Sequence, residues 1–268
     1  MLSITNEVAR RLEMAEAIDA AGCAEALCEI NCNGGATAKA IGGGVAVYCG
    51  SDSPLTHALG IGMHGPVTAD DIEELEDFFH QRDTPVIVDL CPYADPTLRE
   101  LLSSRGYRIL EFLNVMARAL TPDEQLPPLP GMITVRRAEP PEREVFIKTV
   151  IGGFFGRDHL NEQEMELGAT LFHMPCSSVF LAFLDGLAVG GGGMSVRNKV
   201  ASLFSDATHQ RFRGKGVQSA VIRARVEAAI EAGCDLIAAC TAPGSESQRN
   251  YEKLGFQVAY TKLTMGLE

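Results

Sequence analysis

The sequence predicts a mixed α/β protein of two domains, and three observations lead there. Its 268 residues, 46% of them apolar, suffice for a large core and exceed the commonest size of a single domain. Helix-period and strand-like runs alternate along the whole length. The two halves also end alike: "LLSSRGYRILEFLNVMARAL" (101–120) and "NYEKLGFQVAYTKLTMGLE" (250–268) each read helix, glycine, aromatic and long strand, with Gly106-Tyr107 matching Gly255-Phe256. A glycine closing a helix before a strand is common, but the shared order of elements upstream favours an internal duplication. The proline-rich stretch "TPDEQLPPLPG" then serves as a linker at 121–131, leaving domains at 1–120 and 132–268.

Taken in order, "MLSITNEVARRLEMAEAIDA" reads as an amphipathic helix. "TADDIEELEDFFHQRD" is a helix capped by Thr68, with acids in its first turn where they complement the helix dipole. "PVIVDL" is a strand, "DPTLRELLSSR" a helix and "GYRILEFLNVMARAL" a strand. After the linker come the strand "MITVRRA", helices near 140–155 and 161–173, and "VFLAFLDGLAVGGGGMSV", a hairpin turning at Asp185-Gly186. Asn198 marks a second turn, into "VASLFSDAT". A helix from Gly216 to Ala232 follows, with Val217, Ala220, Val221, Ala224 and Ala228 on one face. The strand "CDLIAAC", the short helix "SESQRNYEKL" and the strand "GFQVAYTKLTM" complete the order. Four consecutive glycines, 190–193, weaken a strand; they accommodate either a bulge or the close approach of backbone to a substrate.

A formal net charge of −12 argues against nucleic-acid or anionic-membrane partners, which reward an excess of Lys and Arg. The N-terminal stretch lacks the apolar core of a signal peptide, and no run is long enough to span a bilayer, so a cytoplasmic location is expected. The eight cysteines are expected to be reduced and mostly buried. Cys23, Cys28 and Cys32 cluster without the paired C-x-x-C spacing of a zinc site, and no metal is expected.

Against this acidic background, "HQRFRGKGVQSAVI" (209–222) crowds Arg211, Arg213 and Lys215 around Gly214 and Gly216, where a strand gives way to a helix. Glycines let backbone N–H groups approach a ligand, and a helix N-terminus favours negative charge; solvated surface cations are the plainer alternative. The P-loop pattern fails because Gly216, not Ser or Thr, follows Lys215. The dinucleotide fingerprint fails because Ser219 holds its third glycine position and the next strand ends in Cys240-Thr241 without a ribose-binding acid. The surviving pattern is [RQ]-x-x-G-x-[GA], read as Arg211-Phe212-Arg213-Gly214-Lys215-Gly216. With the strands before it, the alanine-rich helix after it and then "SQRNYEKLGF" (247–256), the sequence resembles the GCN5-related N-acetyltransferase (GNAT) family, whose loop of this pattern binds the pyrophosphate of acetyl-CoA. The resemblance covers 132–268, and the first half resembles a degenerate copy, which implies two tandem acyl-CoA N-acyltransferase-like domains. In that first half, "GMHGPVTADDIEE" (62–74) puts Asp70 and Asp71 where the loop would be, and carboxylates there repel a pyrophosphate. One coenzyme site per chain is expected.

The resemblance implies a role for each matching residue. Tyr251 is the candidate acid for the departing thiolate. Backbone N–H groups of Ala207 and Thr208, with Arg211, Arg213, Gly214, Lys215, Gly216, Val217, Ser247 and Asn250, are candidates to bind coenzyme. Asp206 is the candidate base, with Glu246 a second option, although alternation sets Asp206 and Ala207 on opposite faces of their strand. Phe154, Phe155, Arg157 and His173 fall in the region that covers the acceptor; core packing is the other reading of the phenylalanines. The expected function is direct transfer of an acetyl group from acetyl-CoA to an amine of a small molecule or peptide, with a homodimer allowed. A non-catalytic acyl-CoA-binding or assembly protein is the alternative, and a nucleotide-binding oxidoreductase is disfavoured.

Overall fold

Apolar residues at helical and strand spacing gather around two cores in a computed structural model that describes residues 2–32, 34–122, 124–126 and 132–267. The chain divides into one unit of Ser3–Val115 with Val258–Glu268, and another of Met116–Gln257 with Met1–Leu2. It passes from the first to the second within one long strand and returns at the start of another. Of the expected linker, 123 and 127–131 lie outside the described residues.

The first unit begins with α1 (Asn6–Ile30), capped by the Thr5 hydroxyl and ending ten residues beyond the stretch its sequence predicts. Three short strands that the sequence reading left unassigned follow: β1 (Thr37–Ile41), β2 (Gly44–Tyr48) and β3 (His57–Leu59). Then come α2 (Ala69–His80), β4 (Val86–Leu90), α3 (Pro96–Ser104) and β5 (Arg108–Ala119). Thr68 caps α2 as expected, and Asp71 completes a reciprocal capping box with it. Asp71 is thereby committed to its own helix, and hydrogen bonds from the Thr68 side chain and backbone hold its carboxyl below the usual range. β1, β2 and β3 pair antiparallel in turn, and β3 runs parallel to β4.

The second unit contains β6 (Thr134–Arg137), α4 (Arg143–Phe146), a π-helical turn (Ile147–Ile151), α5 (Gly152–Phe155) and α6 (Glu162–His173). β7 (Ser177–Leu184), β8 (Leu187–Arg197) and β9 (Val200–Thr208) form an antiparallel meander with β6 on its edge. Both predicted turns are present, with left-handed backbone at Asp185-Gly186 and at Asn198-Lys199. α7 (Val217–Glu231), β10 (Leu236–Thr241) and α8 (Glu246–Lys253) follow, and β10 lies parallel to β9. The final strand, β11 (Gln257–Leu267), departs from the sequence reading, which keeps it with residues 132–256. It ladders antiparallel on β4 of the first unit, with Leu263 opposite Leu90.

That ladder carries a buried polar cluster. Lys262 of β11 is fully buried and bonds Glu16 at 2.6 Å and Asp89 at 3.4 Å. The Tyr260 hydroxyl donates to Glu13 Oε1 at 2.7 Å, while Glu13 Oε2 is buried with no hydrogen-bond partner. Burial, reinforced by Glu16 and Asp89 and opposed by Lys262, pushes the Glu13 carboxyl up to about 7.

All eight cysteines are free thiols, but Cys28, Cys32, Cys176 and Cys240 are exposed, so the expectation of mostly buried thiols holds for only half of them. Among the described residues, no helix is long and apolar enough to cross a membrane, and no three His, Cys, Asp or Glu side chains converge to hold a metal.

Candidate functional site

The site begins with a fault in the second unit's sheet. Gly191 pairs with Ala207 and Gly193 with Phe204, so β9 fits two residues, Ser205 and Asp206, opposite Gly192 alone. Ser205 takes a left-handed φ of 55°, and the bulge resets the alternation of β9. Asp206 consequently shares the α7 face with Leu203, while Ala207 turns to α5, where its Cβ lies near Gly153. The β9–β10 ladder runs from Val200–Leu236 to Leu203–Ala239, although β9 continues to Thr208 and β10 to Thr241.

The four glycines are explained by this geometry. A Cβ at Gly190 would lie 2.7 Å from both the Ala207 carbonyl and Val217 Cγ1, and at Gly191 it would strike the Phe180 carbonyl. At Gly192 it would lie 2.6 Å from Asp206 Oδ1 and 2.8 Å from Arg225 Nη1, and at Gly193 it would overlap the Phe204 ring. The glycines therefore open room for the protein's own groups, and of the two sequence readings the bulge is the one present.

A cleft of about 460 Å³ opens at the end of β9. Its walls include Gly153 and Phe154 from α5, Asp206, Ala207 and Thr208 from β9, Gly214 and Gly216 from the loop, and Glu246, Ser247 and Asn250 from α8. Gly214 and Gly216 both hold left-handed φ values, 74° and 83°, which L side chains rarely adopt. Gly216 is the N-cap of α7 and supplies no side chain to its first-turn amides. The N–H groups of Val217, Gln218 and Ser219 thus reach the cleft rim without intrahelical acceptors, backed by the helix dipole.

Arg213 pins the loop: Nε donates to the Thr208 carbonyl at 3.3 Å and Nη2 to the Gly153 carbonyl at 3.2 Å. Lys215 sits over the Phe212 ring at 5.3 Å; it and Arg211 are exposed and lie outside the cleft lining. Ser247 and Asn250 are clamped by Gln218, whose side-chain amide donates to Ser247 Oγ and accepts from Asn250 Nδ2, each at 2.9 Å. Sequence reasoning missed Gln218.

At the inner end stands a polar trio. Asp206 accepts from the buried Tyr251 hydroxyl through Oδ2 and from the Arg225 guanidinium through Oδ1. Arg225 is completely buried, and it also donates to the carbonyls of Gly193 at 2.8 Å and Val221 at 3.2 Å. Burial first, and then the Asp206 charge, raises Tyr251 well above the usual phenol value, so it is protonated at neutral pH. Asp206 lines the cleft and Tyr251 does not. Both Asp206 oxygens already accept a hydrogen bond, so as a base Asp206 would take its proton on a remaining lone pair. The signal for Arg225 was present in the sequence: it extends the Val217–Val221 stripe of α7 by one turn, a cation on an apolar face.

The proposed acceptor residues separate. Phe154 is 67% exposed and meets Phe155 edge-on at 5.3 Å, so core packing does not account for either ring. Arg157 pairs with Glu164 and lies over Phe155 at 5.6 Å. His173, at the end of α6, packs on Phe172 and takes no part in the cleft.

In the second unit a parallel strand pair thus parts past a bulge, and a glycine loop feeds a helix N-terminus. Residues 149–256 match the family model described as "Acetyltransferase (GNAT) family", and this segment is a GNAT domain, of a family that transfers acyl groups. A GCN5-related N-acetyltransferase from Kribbella flavida is 17% identical with a TM-score of 0.67, over 93% of this chain and 94% of that one. One from Sphaerobacter thermophilus is 19% identical with a TM-score of 0.56, over 74% of this chain and 65% of that one. A tandem GNAT protein from the clavulanic acid biosynthesis pathway is 12% identical with a TM-score of 0.55, over 74% and 68%. At these identities the likeness is one of fold. No curated protein matches the chain.

Proposed function

We propose that the second unit is an acetyl-CoA-dependent N-acetyltransferase acting in the cytoplasm on an amine of a small molecule or peptide. The observation that carries this reading is one continuous cleft joining the uncapped N-terminus of α7 to Asp206 at the splayed end of β9. The first-turn amides of α7 and the glycine loop receive the pyrophosphate, with Arg211 and Lys215 adding positive potential at the rim. The exposed edge of β9 at Ala207 and Thr208 offers backbone groups to the pantetheine arm and the thioester carbonyl. The attacking amine gives up a proton to Asp206, directly or through water, and Tyr251 gives its proton to the departing thiolate. Transfer of the proton from Asp206 to the Tyr251 oxygen restores both groups, so that the net reaction moves one proton from amine to thiol. Phe154, Phe155 and Arg157 border the acceptor. The first unit, whose corresponding helix spends Asp71 on its own cap, is a degenerate copy with no coenzyme loop.

Calorimetric titration with acetyl-CoA, beside Gly214→Glu and Gly214→Ala, tests the site. Both substitutions carry the same left-handed backbone strain, and only glutamate adds charge. Binding at one site per chain, lost in Gly214→Glu and retained in Gly214→Ala, is the expected result. Wild-type protein that binds no acetyl-CoA would sink the reading. Binding without thiol release across an amine panel would favour an acyl-CoA-binding protein instead.

A further inference from the structure

We propose that Arg225 is a positioning residue of the transfer reaction, acting through Asp206 on Tyr251; this rests on the acyltransferase reading above. Arg225 does not touch the cleft. Its side chain is fully buried, yet its guanidinium spends its donors on backbone carbonyls of α7 and β8 and on one carboxylate. Burying an arginine costs several kcal/mol unless such partners repay it, and leucine on the same helical stripe would give stability more cheaply. The retained cation has a definite effect on its neighbours. It fixes one oxygen of Asp206, which leaves the other to receive the Tyr251 hydroxyl, and so determines where that proton points.

On the strand side the neighbour of this carboxylate is Gly192 of β8. β8 contributes only glycine at the contact, because a methyl group at Gly192 would collide with both Asp206 and Arg225. From α7 the charged group facing Asp206 is Arg225, and from α8 it is Tyr251 that bonds it, with Glu246 and Lys253 on the cleft wall beyond. The bulge at Ser205 brings Asp206 onto this face at all. Glycine run, bulge and buried arginine therefore serve one arrangement. In it, Arg225 holds Asp206 in place, and Asp206 holds the phenol.

The test uses the full chain carrying Arg225→Met, Arg225→Lys, Asp206→Asn and the Arg225→Met/Asp206→Asn double substitution. Folding is checked by circular dichroism, acetyl-CoA affinity by calorimetry, and kcat against pH with an amine acceptor. Arg225→Met should lower kcat at least tenfold and leave the acetyl-CoA Kd within about twofold, and Arg225→Lys should recover part of the loss. The double variant should lose no more than Asp206→Asn alone, because both residues act through one pair. A folded Arg225→Met with unchanged kcat, or a double variant whose loss is the product of the two singles, overturns the proposal. Where Arg225→Met fails to fold, the double variant, which has no stranded carboxylate, is compared with Asp206→Asn on the same criterion. A coenzyme-free readout separates this inference from the function it rests on. In protein labelled at tyrosine Cζ, the Tyr251 carbon resonance, identified by its absence in Tyr251→Phe, should shift alike in Arg225→Met and Asp206→Asn. No shift in Arg225→Met overturns the proposal even if wild-type protein transfers no acetyl group.

Discussion

Replacing Glu13 by glutamine should change how stability depends on pH. Glu13 is 1% exposed, and burial raises its carboxyl from 4.5 to about 7 in the folded chain. Between those two values the folded protein holds a proton that the unfolded chain has released, so stability falls as pH rises through this window and levels off above about 7. At about 1.4 kcal/mol for each pH unit, the window corresponds to roughly 3 kcal/mol. Glutamine keeps the acceptor for the Tyr260 hydroxyl and remains neutral throughout. Lys262 keeps Glu16 and Asp89 in the variant, and His57 and Asp89 are common to both proteins, so their contributions largely cancel in the difference. Urea unfolding of both proteins at pH 5, 6, 7 and 8 should show them within about 1 kcal/mol of each other at pH 5. Glu13→Gln should then lead by roughly 3 kcal/mol at pH 8. Parallel curves across this range would refute the argument that Glu13 is buried with a raised affinity for its proton.

Three further outcomes follow from the same structure. Tyr251→Phe should lower kcat about 100-fold with little change in acetyl-CoA affinity, and an unchanged kcat in a thiol-release assay would remove Tyr251 from the proton path. Gly192→Ala places a methyl group 2.6 Å from Asp206 Oδ1 and should cost about 1–3 kcal/mol in chemical denaturation; an unchanged midpoint would mean the pocket around Arg225 is looser than its contacts indicate. Thr68→Ala removes the side-chain cap of α2, while the residue 68 N–H still reaches Asp71, and should cost about 1 kcal/mol, measured the same way.

What the sequence revealed was local. The loop at 211–216 was legible because left-handed backbone selects glycine, and α8 because its cap and composition occur within ten residues. The hairpins at Asp185-Gly186 and Asn198 were legible for the same reason. The bulge at Ser205 was not, since nothing in "LFSDAT" distinguishes an extra residue from ordinary alternation until β8 lies beside it. The trio of Asp206, Arg225 and Tyr251 spans three elements; Asp206 and Tyr251 were singled out separately, and Arg225 left only the trace of a cation on an apolar stripe. The role of the glycine run depended on side chains from α7 and β9 that arrive through tertiary packing. β1 to β3 were passed over because small residues and short length blur the period-two signal. The placement of β11 was hidden because a strand's own pattern names its buried face and not its neighbour.

The pairing of β11 with β4 has a consequence for biosynthesis. A chain emerges from the ribosome in one direction, and residues 86–90 wait for 263–267 before their ladder can form. The first unit is therefore translated almost entirely before it can close its sheet, while the second has every strand of its meander in hand earlier. Nascent residues 1–120 spend most of translation with an open strand edge, and a gene divided at the proline-rich stretch would yield an amino-terminal fragment missing a strand from its interior.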